Sequence, residues 1–246
     1  MTDYAFSRES RLWLPSTGLG RIPLLYSPVG LWHFNGDRTD SSGNGHDFGS
    51  TVGTMRYIQI RPGMAGAYFR GTYVRVDHSD LRITGDVTLA LLMQLHAYPT
   101  GSTMRHYLIG CGQEGSSSES ENTMYSINLL VAGGIRWWSE HGSGVSDLFP
   151  TGYLMPMQTW GLLIGRRASN IVTFSWNGEQ LGAASSALTT PTGGSGGGLA
   201  IGSAPDAAAD GEFSCGGAAV WASALTDDQI TTLTYSVLGT EIALTV

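Results

Sequence analysis

Along most of the chain, apolar residues recur at every second position and Gly, Asn, Asp or Ser interrupts them at short intervals. Alternation of this kind marks strands with one face buried. In AYFRGTYVRV (residues 67–76), Val74 and Val76 fall on one face and Tyr73 and Arg75 on the other. Residues 87–95 (VTLALLMQL) form an apolar strand long enough to cross a sheet. Further strands are predicted at residues 106–110, 124–131, 134–138, 159–165 and 171–176. GQEGSSSESEN, GSGVSD and TTPTGGSGGG separate them and have loop composition. Asn177-Gly178, directly after FSW, predicts a tight hairpin that needs positive φ at both residues.

One segment has helical character. LTDDQITTL (residues 225–233) offers Thr226 as a cap and places Asp227 and Asp228 on the first turn. A short helix is expected over 226–233. No strand alternates with a long helix, so the pattern argues against a parallel α/β fold. It predicts an all-β, antiparallel two-sheet sandwich with one short helix. Residues 1–28 differ. They mix Arg8, Arg11 and Arg21 with Trp13 and Tyr26, and Pro15, Pro23 and Pro28 forbid a long helix or a central strand. The expected organisation is an extended arm at 1–28, a sandwich at 29–236 and a tail at 237–246. Arg, Trp and Tyr favour interface centres. Arg8, Arg11, Trp13 and Tyr26 are therefore the candidates for anchoring the arm to a partner subunit.

Five segments resemble laminin G-like domains of the concanavalin A-like lectin/glucanase superfamily. They are LWHFNGDRTDSSGNGH (31–46), GAYFRGTYVRV (66–76), the buried strand at 86–95, the Trp strand and SWNGE hairpin (160–179), and IGSAPD…GEFSCGGAAVWASALTDDQI (201–230). The resemblance implies a jelly roll of two antiparallel sheets packed face to face, one of them usually concave. It also implies that Trp32, Trp160, Trp176 and Trp221 are structural, and Phe213 is expected in the core with them. The Gly/Ser-rich loops at 113–122 and 190–198, the arm and the tail lie outside the likeness.

Charge narrows the partners. The 246 residues carry a net charge of −7, and all 13 basic residues are Arg. No basic cluster offers a phosphate track, so nucleic acid is not an expected partner. No apolar run is long enough to cross a bilayer, and the first residues have no leader pattern. The expectation is a protein made in the cytoplasm, without membrane insertion, and carried in a virion or phage-like particle. Codon bias explains the absence of Lys, and selection for the forked, stacking guanidinium is the alternative. Cys111 and Cys215 either pair or stay as two buried thiols.

No catalytic signature is present. Glucanases of the resembled superfamily set carboxylates at i, i+2 and i+4 on one strand; Glu119 and Glu121 lie instead in a Ser-rich loop and read as solvated charge. The expectation is a protein that is not an enzyme and carries no cofactor. Asp37, Asp40, Asn44 and Asp47 could hold calcium, but Asx turns explain the same residues without an ion. The six His are scattered and suggest no metal pair. The candidate ligand site is Tyr125, Arg136, Trp137, Trp138 and His141. Alternation turns one of Trp137 and Trp138 outward, as an aromatic platform for a sugar ring beside a forked donor. The expected function is a non-catalytic module that binds cell-surface glycan, as a spike, fibre or head-decoration protein of a phage or phage-like particle, whose arm contacts other particle subunits. The alternatives are a purely structural decoration protein and a polysaccharide-cleaving enzyme.

Overall fold

The computed structural model describes residues 19–53, 55–99, 105–112, 123–130, 133–141, 144–148, 153–191, 198–202 and 212–239. In chain order the strands are β1 Gly30–Trp32, β2 Ser50–Val52, β3 Arg56–Arg61, β4 Met64–Arg70, β5 Tyr73–Val76, β6 Val87–Ala97, β7 Arg105–Cys111 and β8 Tyr125–Leu130. They continue as β9 Ile135–His141, β10 Gly144–Leu148, β11 Trp160–Ala168, β12 Ile171–Trp176, β13 Glu179–Gln180, β14 Leu199–Gly202 and β15 Glu212–Trp221, followed by helix α1 Asp227–Leu238. Two antiparallel sheets result. The first runs β13-β12-β11-β6-β15-β4-β3, with β1 also on β15; the second runs β10-β9-β8-β7-β14-β5-β2. This is the expected jelly-roll sandwich.

The main core lies between the sheets. Leu89, Leu91, Met93 and Leu95 of β6 point into it, as do Val74, Ile109, Ile127 and Ile201 from the opposite sheet. The other face of β6 is also covered: Ala90 and Leu92 pack beneath α1. Burial on both sides explains why β6 is a continuous apolar run rather than an alternating one. In β15 the alternation breaks, and a bulge between Cys215 and Gly217 is the cause. Phe213 and Cys215 face the main core before it, and Ala218 and Val220 face the same core after it. One extra residue restores the inward face. It also lets β15 pair with β4 over its first half and with β1 over its second.

AYFRGTYVRV is not a hairpin. β4 belongs to the first sheet and β5 to the second, so the chain crosses the sandwich at Gly71, whose φ is +57°. The Asn177-Gly178 turn is as expected, with φ of 55° and 86°, and it closes the Trp176–Glu179 pair.

A second core lies on the outer face of the first sheet. Thr226 and Gln229 form a reciprocal capping box, and α1 then runs to Leu238, a turn beyond the expected end. Leu233 and Val237 are fully buried against Leu162, Ile164 and Trp221. The extra turn forms because its apolar face continues the stripe that Ile230 and Leu233 begin. Residues 19–28 complete this layer. Ile22 is fully buried, Trp221 Nε1 donates to Leu25 O at 2.9 Å, and Gly20 N donates to Val237 O. Two domain limits are therefore corrected: 19–28 and 237–238 belong to the sandwich because each buries apolar side chains in it. Trp160 is corrected as well. It is half-buried at the rim of the second core, whereas Trp32, Trp176, Trp221 and Phe213 are buried as expected.

Cys111 and Cys215 are free thiols, both buried in the main core. Burial pushes the Cys215 thiol up to about 12. A thiol held protonated and out of solvent is a poor nucleophile. Both cysteines should therefore resist iodoacetamide in native buffer and label fully after denaturation, as read by mass spectrometry. Rapid native labelling would contradict the closed core.

Candidate functional site

Strands β8 and β9 lie side by side in the second sheet, with Ser126 opposite Trp138, Ile127 opposite Trp137 and Asn128 opposite Arg136. Alternation separates these pairs. Ile127 and Trp137 belong to the main core. Ser126, Asn128, Arg136 and Trp138 take the opposite parity and form a two-by-two patch on the outer face. The Arg136 guanidinium stacks over the Trp138 ring at 4.2 Å, and Ser126 Oγ donates to Trp138 O at 3.2 Å. Gly110 and Ala200 continue this face on β7 and β14. The Gly110 Cα approaches Ser126 so closely that a Cβ there would sit 2.6 Å from the serine side chain.

The patch is built but not open. Trp138 is 2% exposed and Arg136 7%. Asn128 is fully buried, yet neither Oδ1 nor Nδ2 has a hydrogen-bond partner. Buried amides in folded proteins are almost always bonded, since an orphaned donor or acceptor costs about 1–3 kcal/mol. The unbonded Asn128 amide lies directly across from Arg136 in the strand register, and the Arg136 guanidinium covers the Trp138 indole.

The expected site residues divide. Arg136 and Trp138 are brought together on one face. Trp137 is the inward member of the pair and packs near Phe174. Tyr125 is corrected to a core residue: it is fully buried, donates to Leu81 O at 2.6 Å, and has its phenol pushed well up by burial, with Cys111 adding to the shift. The free aromatic platform is corrected too, because the Trp138 face is taken by Arg136. His141 closes β9, and its side chain lies outside the described residues, as do Glu119, Glu121, Arg8, Arg11 and Trp13. Tyr26 is half-buried against the second core of its own domain. The orphaned Asn128 was missed. Inside YSINLL it reads as one polar residue on the outer side of a strand, and only coordinates show that it has no partner.

At the 37–47 turn the acidic side chains bond the local backbone. Asp40 Oδ1 accepts from Leu31 N at 3.0 Å and Ser42 N at 2.8 Å; Oδ2 accepts from Ser42 Oγ at 2.7 Å and His46 N at 2.9 Å. Asp37 and Asp47 accept from Thr39 N and Asp40 N. Each of the three carboxylates accepts at least one backbone N–H, the pattern of Asx turns.

A family model for the concanavalin A-like lectin/glucanases superfamily matches residues 69–231. The chain belongs to this superfamily. No curated protein sequence matches it significantly. Among solved structures, this concanavalin A-like chain resembles the binding domain of the Paraclostridial Mosquitocidal Protein 1 at TM-score 0.64 and 12% identity, covering 87% of this chain and 53% of that one. It resembles domain 4 of the arabinanase AbnA from Geobacillus stearothermophilus, solved with arabinotriose, at TM-score 0.59 and 20% identity, covering 85% and 98%. A botulinum neurotoxin type C structure, whose cell entry depends on two ganglioside molecules, matches at TM-score 0.61 and 13% identity, covering 85% and 50%. The chain thus spans about half the length of the toxin chains it matches. At these identities the likeness is one of fold. Among the described residues, no helix is long and apolar enough to cross a membrane.

Proposed function

We propose that this domain is a non-catalytic, lectin-like module that binds glycan through the outer face of its second sheet. The observation that carries the reading is Asn128, whose side-chain amide is buried with both ends unbonded beside Arg136 and Trp138. A sugar's adjacent hydroxyls supply one donor and one acceptor, which is the pair such an amide lacks. The Arg136 fork adds donors, and the indole edge supplies apolar contact for ring carbons. Arabinotriose in the AbnA domain and gangliosides with the neurotoxin are glycan ligands of proteins with this fold.

The test separates binding from stability. Asn128→Ala should lose binding on a glycan array by about tenfold or more, the cost of a lost polar recognition group. It should melt at or above the wild-type temperature, because an unbonded buried amide stabilises nothing. Trp138→Ala should also lose binding. A strongly destabilised Asn128→Ala, or one with unchanged glycan binding, would sink the reading. Turnover of a labelled polysaccharide by the wild-type chain would favour an enzyme instead.

The finer reading places this module on a phage or phage-like particle, with residues 1–18 as the anchor to neighbouring subunits. Arg8, Arg11 and Trp13 support it by composition. Removing residues 1–18 should leave a folded domain that no longer assembles with the particle. Assembly unchanged by the deletion would refute the anchor, and an intact domain that binds no glycan would favour a decoration role.

A further inference from the structure

The loop after β1 and the loop after β5 meet at one end of the sandwich. His46 comes from the first; His78 and Asp80 come from the second, at a short 3-10 turn, Ser79–Leu81. The His46 and His78 rings lie 4.2 Å apart between centroids. One ligating atom from each of His46, His78 and Asp80 falls within 4.8 Å of the other two. Asp80 Oδ2 is 3.9 Å from His46 Nε2 and 3.6 Å from His78 Nδ1.

His46 decides the chemistry. It is 1% exposed, and its Nδ1 lies 2.7 Å from Val29 O. A carbonyl only accepts, so Nδ1 carries the proton. The lone pair of the neutral ring is then on Nε2. That atom is buried, has no hydrogen-bond partner, and faces His78 and Asp80. A backbone carbonyl that fixes one ring nitrogen while the other points at a metal is the usual support of a histidine ligand. His46 cannot turn away, because its own N–H is held by Asp40 and its carbonyl by Trp32 Nε1 at 2.8 Å.

From this arrangement we propose that His46, His78 and Asp80 bind a divalent transition-metal ion of the Zn²⁺ type, with water in the fourth position. Two imidazoles and one carboxylate suit such an ion, whereas Ca²⁺ and Mg²⁺ prefer oxygen alone. Metal–ligand bonds near 2.0–2.2 Å put tetrahedral ligands about 3.3 Å apart. The cluster therefore has to tighten, by about an ångström or more at its widest. His78 and Asp80 can supply that movement, since their side chains are 45% and 63% exposed. The buried His46 supplies the fixed point. The site shares no residue with the glycan face and stands whether or not that reading holds. Metal there ties the 40–48 loop to the 79–81 turn.

The experiment uses the whole chain without a polyhistidine tag, stripped with chelator and titrated with Zn²⁺. Calorimetry should give one saturable Zn²⁺ per chain. The melting temperature should rise by about 5 °C or more with free Zn²⁺ at a hundredfold excess over Kd. Co²⁺ in place of Zn²⁺ should give the strong visible absorption of a tetrahedral site. Asp80→Asn alters an exposed side chain and should fold and melt like the stripped wild type. His78→Ala also removes the Nδ1 acceptor that caps the turn at Asp80 N, so it should fold but melt a few degrees lower. Each should weaken Zn²⁺ binding about tenfold or more, as loss of one ligand requires. Absence of one-to-one binding, or wild-type affinity in either variant, would overturn the proposal.

Discussion

Asp40→Ala should destabilise the domain by about 3–5 kcal/mol, since it strands the buried N–H groups of Leu31 and His46 and frees Ser42, each orphan costing about 1–3 kcal/mol. Chemical denaturation should show this as a lower midpoint with an unchanged slope. The loss should depend on pH in a defined direction. Burial pushes the Asp40 carboxyl up, but bonds from Leu31, His46 and Ser42 outweigh it, and the net effect lowers it below 3.8. A carboxyl held low when folded stabilises the fold above its unfolded value, and that contribution disappears as pH falls through the folded value. The gap between wild type and Asp40→Ala should therefore be full near neutrality and narrow below 3.8. A gap unchanged down to pH 2 would show that the cost lies in packing rather than in the ionised carboxylate.

Arg167→Leu should cost a similar amount for a different reason. This guanidinium is fully buried, pointing inward from β11. Nε donates to Gly85 O at 2.9 Å, Nη1 to Met124 O at 3.0 Å and Nη2 to Ile83 O at 3.3 Å. It also lies 5.9 Å from the Trp137 ring. Burial brings its pKa down to about 10, with the Asp86 charge opposing the shift. Leucine relieves the cost of desolvating a charge but leaves three carbonyls without donors. At about 1–3 kcal/mol each, the carbonyls dominate, for a net loss of about 3–5 kcal/mol. Arg167→Lys keeps the charge but has no planar fork, so it should recover only part of the loss. A leucine variant as stable as wild type would mean that the loop at 83–85 has other means of support.

The fold was legible because both of its strongest signals are local. Alternation in residues 67–76 assigns Val74 and Val76 to one face without any knowledge of partners, and Asn177-Gly178 requires a particular turn. What was illegible depends on distant residues. Nothing in AYFRGTYVRV says that its two halves enter different sheets. The end of α1 depends on Leu162 and Trp221 covering Val237 and Leu238. The site divides in the same way. Strand parity gives one outward Trp in the 137/138 pair, but only the register against β8 brings Asn128 beside Arg136. His46 and His78 are 32 positions apart in sequence. They meet because Asp40 folds the first loop back on itself, and a scan for short ligand spacings passes over such a pair.

The hydrogen bond from Gly20 to Val237 has a further consequence. It joins the first described turn of chain to the last helical turn, so both ends of the domain leave from one place. That place is on the outer face of the first sheet, and the Asn128 patch is on the opposite side of the sandwich. The domain is thus a plug with both wires at the back. It can be spliced into a loop of a host protein with little stretching. Copies fixed through either end to a common support would all present the same sheet outward, the geometry in which several weak contacts add up to firm attachment.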